Sequence, residues 1–579
     1  MLDEEEWAPL SPLCNVVNSH ERPGGCMKKM GIAVLSALVA AAAFPQQALY
    51  DVVIHDGMIV DGTGNPWYRA DIGITGGRIQ KIGTIPPSAG RKAINASGRA
   101  VSPGFIDLHT HSDIPVLVDG TAQSAVRQGV TLDVIGESAS VAPLEGVVLD
   151  EFKREQKRQY NFDVDWTTVS GYIKKLERQG VSINIAISVA PQQIKRAVIG
   201  YQNRPATPEE IVRMKKLVEQ AMREGAVGLS SAFNGGGYDN PEEMFEMAAV
   251  AAQYGGYYAT HVGSEGYQLT EEIRKAIQVA EVTHIPIHIF HLKIRGKNLW
   301  GKAGPAIAMI EEARSRGLEI TANQYPYTAM QHPWSRLFPD WAVDGPRERI
   351  IELLSDPATR EKIKKDPLFH QYVDEHGGFE GIVASRITNL KNKQLEGKTI
   401  AEIAKTRGDK DPADTCFNLI LEERNYIYGI YHNMSEDDVR MIMKLPWVAI
   451  GSDGAALRPD GVLGDGLPHP RSFGTNPRVL GKYVREERVI SLEDAVRKMT
   501  SLPAQIMRLK DRGMLREGYW ADIVVFDPKA VKDVATFEKP KQYPAGIEHV
   551  LVNGIVVVEN GNHTGAKPGK AILGPGFRQ

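Results

Sequence analysis

The chain has 579 residues, 42% of them hydrophobic and 24% charged, with a formal net charge of -3. That composition excludes a disordered or fibrous polypeptide and leaves room for one large domain with a smaller companion. The near-neutral charge, with no Lys/Arg-rich run carrying interleaved aromatics, argues against nucleic acid and favours a small-molecule partner. Of the three cysteines, Cys14 and Cys26 precede the body and Cys416 stands alone in it, so no disulfide framework, Cys-x-x-Cys metal site or catalytic sulfur is expected.

In chain order, residues 1 to 26 are acidic at Asp3 to Glu6 and rich in turn formers, unlike the start of an export signal, which places the functional start at Met27. From there Lys28 and Lys29 precede the apolar run Gly31 to Phe44, with the small residue Ala48 beyond it. This is the layout of a secretory signal over 27–48, too short for a stable membrane span, and it predicts export to the periplasm or beyond, with a retained amphiphilic anchor as the alternative reading and a cytoplasmic location if the segment is not used. Tyr50 to Gly83 alternates β-branched runs with the turn pairs Asp56-Gly57, Asp61-Gly62 and Gly76-Gly77, which reads as hairpins. The far end repeats that character in Ala521 to Phe526 and in His549 to Val558, the latter broken at Asn553-Gly554. Residues 49–102 and 501–579 are therefore expected to build one small β-sandwich.

Between them, apolar runs alternate with amphipathic ones: Ile183–Val189, Thr207–Glu224, Val227–Ser231, Pro241–Gln253, Tyr257–Thr260, Glu271–Thr283, Ile285–His291, Pro305–Arg316 and Glu319–Tyr325. Alternation of this kind means a parallel sheet, and a span of 103–500 suits an α/β fold of the closed (β/α)₈, TIM-barrel type, with an open doubly wound sheet as the alternative. No Gly-x-Gly-x-x-Gly opens a helix, and Gly235-Gly236-Gly237 lacks the Lys and Ser/Thr of a phosphate loop. From 334 to 436 charged helical stretches such as Arg347–Leu354 and Ala358–Lys365 break the rhythm, as an insertion over the barrel mouth would. No internal repeat is visible.

His109-Thr110-His111 follows the first apolar run, Ala100 to Ile106. Residues two apart on a strand share a face, so both imidazoles can grip one metal ion. Alone, the triplet reads equally well as two ordinary histidines. Four later strand ends add to it: Glu137 after Leu132–Gly136, His261 after Tyr257–Thr260, His291 after Ile285–Phe290, and Asp453 after Val448–Ser452. Singly, each has a bland reading as a loop carboxylate, a helix cap or a satisfied structural histidine. Together, four histidines and two carboxylates at the catalytic ends of barrel strands fit a divalent metal with an open position, and Asp453 beside it as proton acceptor and donor. His288, three residues before His291, falls on the opposite face and is expected to point at the helix layer. Ser452-Asp453 cannot act as a nucleophile–base pair, because neighbours on a strand point apart, and no Gly-x-Ser-x-Gly elbow occurs.

With these residues in place the chain resembles the N-acyl-D-amino-acid deacylases (D-aminoacylases) of the amidohydrolase superfamily, from about Tyr50 to Gly561. The motifs are Gly104-Phe-Ile-Asp-Leu-His-Thr-His111, Tyr258-Ala-Thr-His261 with Ser264-Glu265-Gly266, His291-Leu-Lys293 with Trp300-Gly301, Gln324-Tyr-Pro-Tyr327, Ile450-Gly-Ser-Asp-Gly454, His469-Pro-Arg471, and Met499 to Ala504 followed by Asp511-Arg-Gly513. The resemblance implies zinc-dependent hydrolysis of an N-acyl-D-amino acid in a barrel flanked by a small β-domain. It implies His109, His111, His261 and His291 as metal ligands for one or two Zn²⁺, Asp453 as general base and acid, and Lys293, Tyr325 and Arg471 toward the substrate. Two departures stand out. Many relatives place a cysteine ligand where this chain has Gly136-Glu-Ser-Ala-Ser140, so Glu137, or else Ser138, takes that place, and an oxygen ligand there favours a two-metal site or a looser zinc preference. Phe233-Asn234-Gly235 stands where the family has a tyrosine, which bears on the side-chain pocket. A hydantoinase-like or isoaspartyl-dipeptidase-like amidase, or an exported metal-binding protein without turnover, are the competing readings.

Overall fold

Eight apolar runs, each too short and too buried to serve as a helix, assemble side by side into a parallel barrel. They are β1 (Phe105–Asp107), β2 (Val130–Ile135), β3 (Asn184–Val189), β4 (Gly228–Ala232), β5 (Tyr257–His261), β6 (Ile287–Ile289), β7 (Ile320–Gln324) and β8 (Val448–Ile450). The computed structural model describes residues 49–232, 241–343 and 345–578. Each strand pairs in parallel with its predecessor from β2 through β7, and β8 pairs with β7 in the register Ala322 to Val448. The ring closes between its first and last strands: Thr110 bridges Gly454, Asp453 N–H donates to the His109 carbonyl at 2.8 Å, and His111 N–H donates to the Gly454 carbonyl at 2.7 Å. Asp107 tightens this seam by accepting from the backbone of both His109 (3.1 Å) and Ser452 (3.0 Å).

The helices fall where the amphipathic stretches predict. Pro208–Arg223 begins at Thr207 with a reciprocal capping box to Glu210, and Pro241–Gln253, Leu269–Thr283 and Gly304–Ser315 follow in turn. Their apolar faces join the outward residues of the strands, such as Ile287, Ile289, Ile320 and Ala322, in the main core. The barrel interior holds a second cluster, which includes Ile106, Leu132, Ala186, Tyr257, Ala259 and Phe290. The helix Ser501–Ile506 adds Leu502 and Ala504 to that cluster, so this part of the 501–579 segment belongs to the barrel and not to the β-domain. The same holds for Ala571–Ile572, which pairs in parallel with β3.

Both chain ends meet in a nine-stranded sheet, where Ala100–Pro103 pairs with Ile523–Phe526 antiparallel and with Tyr50–Ile59 in parallel. The hairpin expected at Asn553-Gly554 joins Ile547–Val552 to Ile555–Glu559, with both turn residues at positive φ (50° and 78°) as a tight two-residue turn requires. The insertion is a unit with its own core, containing Trp334, Phe338, Phe369 and Phe417. Its three-stranded antiparallel sheet, Ala329–Pro333, Ile382–Arg386 and Tyr428–His432, begins five residues before the expected start. Cys416 is buried in that core and burial raises its pKa, consistent with an inert thiol. The expected signal segment, Gly235-Gly236-Gly237 and Phe233-Asn234-Gly235 lie outside the described residues.

Candidate metal centre and active site

Strand geometry delivers the donors to one point. The alternation of β1 carries through His109 and His111, and the end of β2 turns at Gly136, whose φ is 109° and where a Cβ would lie 2.1 Å from the Ser188 carbonyl oxygen. Only glycine permits that turn, which brings Glu137 back over the barrel axis. Its carboxylate contacts His109 Nε2 through Oε2, lies 3.3 Å from His111 Nε2 and, through Oε1, 3.9 Å from His261 Nδ1. His261 Nδ1 and His291 Nε2 are 2.8 Å apart. Asp453 completes the other side, with Oδ1 3.0 Å from His111 Nε2 and Oδ2 2.7 Å from Arg471 Nη1.

These side chains form two donor sets that share Glu137. His109, His111, Glu137 and Asp453 place one ligand atom each within 4.8 Å of one another, and so do Glu137, His261 and His291. Nitrogen and carboxylate oxygen converging in a buried site is the donor chemistry of a divalent transition metal, and Glu137 stands where a bridging ligand would. The electrostatics agree. Burial opposes the charge of Glu137, yet His109 and His111 hold its carboxyl well below the usual range. Burial likewise opposes Asp453, which Arg471 and His109 keep ionised. Burial drives His261 down to about 3, so the ring is neutral and one of its nitrogens keeps a lone pair free for coordination, while His111 is pushed up against burial to about 9 by Asp453 and Glu137.

His291 and Asp453 both take positive φ, 33° and 51°. A non-glycine residue there is strained, and such strain concentrates at functional sites. The turn at His291 also corrects the reading of His288. Because φ reverses at His291, strand alternation does not extend to it. Ile287 and Ile289 face the helices, whereas His288 points into the barrel, with Nδ1 2.9 Å from Thr321 Oγ1 and Nε2 accepting from Asn323 Nδ2 at 2.9 Å. Its role is structural nonetheless: Asn323, held by His288, accepts the His291 backbone N–H at 2.6 Å.

Around the donors, Lys293, Tyr325 and Arg471 pack together, with the Lys293 ammonium 5.2 Å and the Arg471 guanidinium 5.0 Å from the Tyr325 ring centre. The Tyr325 hydroxyl is buried without a hydrogen-bond partner. One residue that stood in a sequence motif without an assigned role is central. Glu265, 1% exposed, lies 2.9 Å from His291 Nδ1 and 2.5 Å from Lys293 Nζ. It balances the buried ammonium, whose Nζ meets His291 Nδ1 at 2.7 Å, and so acts on the donor histidine through Lys293. All of this opens into a cavity of about 550 Å³ whose outer wall is built by the insertion.

The comparisons with known proteins point the same way. Residues 393–558 match the Amidohydrolase family model Amidohydro_3. The D-aminoacylase of Alcaligenes xylosoxydans xylosoxydans is 32% identical over 536 residues, covering 90% of this chain and 97% of the relative. Among solved structures, the N-acyl-D-glutamate deacylase of Bordetella bronchiseptica, complexed with zinc and a phosphonate mimic of the tetrahedral intermediate, superposes with a TM-score of 0.76 at 28% identity, covering 90% of this chain and 99% of its own. A D-aminoacylase described for its binuclear metal centre, with one-metal activation and second-metal attenuation, gives 0.73 at 30% identity over 90% and 100%. The chain belongs to the D-aminoacylase family of amidohydrolases.

Proposed function

We propose that this protein hydrolyses the amide bond of N-acyl-D-amino acids, releasing a D-amino acid and a carboxylate, with Zn²⁺ as the metal. The observation that carries the reading is the pair of donor sets sharing Glu137, set beside an ionised Asp453 that is itself paired with Arg471. His109, His111, Glu137 and Asp453 would hold one ion, and Glu137, His261 and His291 a second. A metal held there supplies Lewis acidity and lowers the pKa of water to near 7.

The chain's own groups account for the rest. Arg471 forms an ion pair with Asp453 and presents its N–H donors to the substrate's α-carboxylate, a charge-assisted anchor beside Tyr325. Lys293 lies on the same wall, its charge balanced by Glu265. Asp453, ionised at rest, takes a proton from the attacking water at a carboxylate oxygen and returns it to the departing nitrogen as the C–N bond breaks. We also propose export directed by the segment around Lys28, Lys29 and Gly31 to Phe44. Among the described residues no helix is long and apolar enough to cross a membrane.

The test is hydrolysis of N-acetyl-D-methionine, N-acetyl-D-glutamate and their L-isomers by protein from Leu49 onward, with and without Zn²⁺, beside Asp453→Asn. Turnover of a D-isomer that requires metal and falls by about 10²- to 10⁴-fold in the variant is expected from loss of a general acid–base group. Metal binding without turnover of any of the four would overturn the assignment.

A further inference from the structure

The motif His469-Pro-Arg471 contains one residue that the chemistry above does not use. Arg471 opens the helix Arg471–Arg478 and reaches Asp453 with its guanidinium, while Pro470 before it has no side chain able to cap the helix. The first N–H groups of a helix have no partner within it and must find one outside. His469 serves two of them. Its carbonyl accepts from Ser472 N–H at 3.2 Å, and its ring Nδ1 accepts from Arg471 N–H at 3.0 Å.

Because Nδ1 accepts, the ring proton sits on Nε2, and Nε2–H donates to the Ala329 carbonyl at 3.0 Å. Ala329 begins the first strand of the insertion's sheet, and Gln331 of that strand accepts the His469 backbone N–H at 3.2 Å. The ring is fully buried, edge to face with Tyr327 at 5.1 Å and with Phe537 at 5.0 Å, and 6.1 Å from the ring of Tyr325. Burial and the Arg471 guanidinium keep it neutral. Both nitrogens are therefore engaged, and neither a rotation nor the other tautomer is open to the ring without breaking a hydrogen bond. Arg471 and Ser472 line the cavity, whereas His469 is closed off from solvent. Asp453 holds the far end of the Arg471 side chain at 2.7 Å, and His469 holds its root. Since an arginine meets a carboxylate in a fixed fork geometry, the place of its backbone decides where that carboxylate is received.

We infer that His469 is a positioning residue for the substrate's α-carboxylate: locked against the first strand of the insertion, its ring holds the Arg471 backbone, and through it the guanidinium, where the carboxylate is met. The inference rests on the anchor role given to Arg471 above. It gives the insertion a part in substrate recognition that needs no contact of its own with the carboxylate.

The experiment measures kcat and KM of zinc-loaded wild type, His469→Gln and His469→Asn on N-acetyl-D-methionine, with urea unfolding of each. Calorimetric binding of N-acetyl-D-methionine and of N-acetyl-D-methioninamide, in the Asp453→Asn background, runs beside it. Glutamine keeps a donor for Ala329 but has no acceptor at the Nδ1 position, whereas asparagine accepts the backbone N–H two residues on, as in an Asx turn. His469→Gln should raise KM about 3- to 10-fold, as expected for one lost neutral hydrogen bond, with kcat within about twofold of wild type. The binding preference for carboxylate over amide should shrink by the same factor, and His469→Asn should recover both. A residue that only supported the fold would lower stability and leave KM and that preference unmoved. Wild-type KM and preference in His469→Gln would overturn the inference, and so would a raised KM in a folded His469→Asn, whatever the fate of His469→Gln. If wild type does not hydrolyse N-acetyl-D-methionine, the deacylase reading fails on its own, and the carboxylate preference still decides His469. A wild type without that preference overturns the Arg471 anchor and this inference together.

Discussion

Replacing Glu265 by glutamine keeps the side chain's shape and removes its charge, and the consequences can be worked through. The carboxylate is 1% exposed and balances Lys293 Nζ at 2.5 Å, and that ammonium in turn orients His291 through Nδ1 at 2.7 Å, with Arg295 3.8 Å from the carboxylate. Removing one partner of a buried ion pair costs about 3–5 kcal/mol when the other charge is left uncompensated. Lys293 borders the cavity and can be reached by water, so a loss of about 1–3 kcal/mol in urea unfolding is the expected outcome. Groups that orient a ligating histidine contribute about 10- to 100-fold in metal affinity, so competition with a chromophoric chelator should show Zn²⁺ weakened by that factor. The sign with pH follows from the direction of the shift. Burial opposes its ionisation, but Lys293 and His291 pull the Glu265 pKa well below 4.5, so its stabilisation is complete above that value and is lost only as pH falls through the depressed one. The deficit of Glu265→Gln should therefore be level between pH 6 and 8. A variant with wild-type zinc affinity and stability across that range would refute the role given to this carboxylate.

Two further outcomes are expected. Glu137→Gln should lower bound zinc, counted by elemental analysis after dialysis, because Glu137 is the donor common to both sets; unchanged stoichiometry and affinity would show that it bridges nothing. Lys498 is fully buried, donates to the carbonyls of Leu445 (2.5 Å) and Val448 (3.0 Å) at the foot of β8, and burial brings its pKa down to about 8 from 10.5. Since the unfolded chain then holds the proton more tightly, wild-type stability relative to Lys498→Met should rise between about pH 8 and 10.5, by roughly 3 kcal/mol in all. Urea unfolding at three pH values in that window measures it, and a flat or falling difference would contradict the assignment.

What could be read from the sequence was whatever depends on local periodicity. The His109/His111 pair follows from strand alternation, and His261 and Asp453 from their positions at the ends of apolar runs whose type was evident from length and β-branching. His291 was found by the same logic, but the face of His288 was misread, because a φ of 33° at His291 reverses the alternation and nothing in Ile-Phe-His-Leu announces it. Glu265 stood in a quoted motif without a role, since its partners His291 and Lys293 lie past the next strand and only the parallel pairing of β5 with β6 brings them within reach.

The seam where the barrel closes is also where the candidate active site lies. His111 and Asp453, 342 residues apart, touch directly, and the backbone bonds from Asp453 to His109 and from His111 to Gly454 are the same ones that join the first strand to the last. A growing chain therefore displays the histidine pair long before it has made Asp453, and the first donor set is complete only once the final strand is in place. Closing so long a loop is slow relative to local helix and turn formation. An ion captured by this set would then report that the ring has shut, and would fasten the point at which the barrel would otherwise reopen.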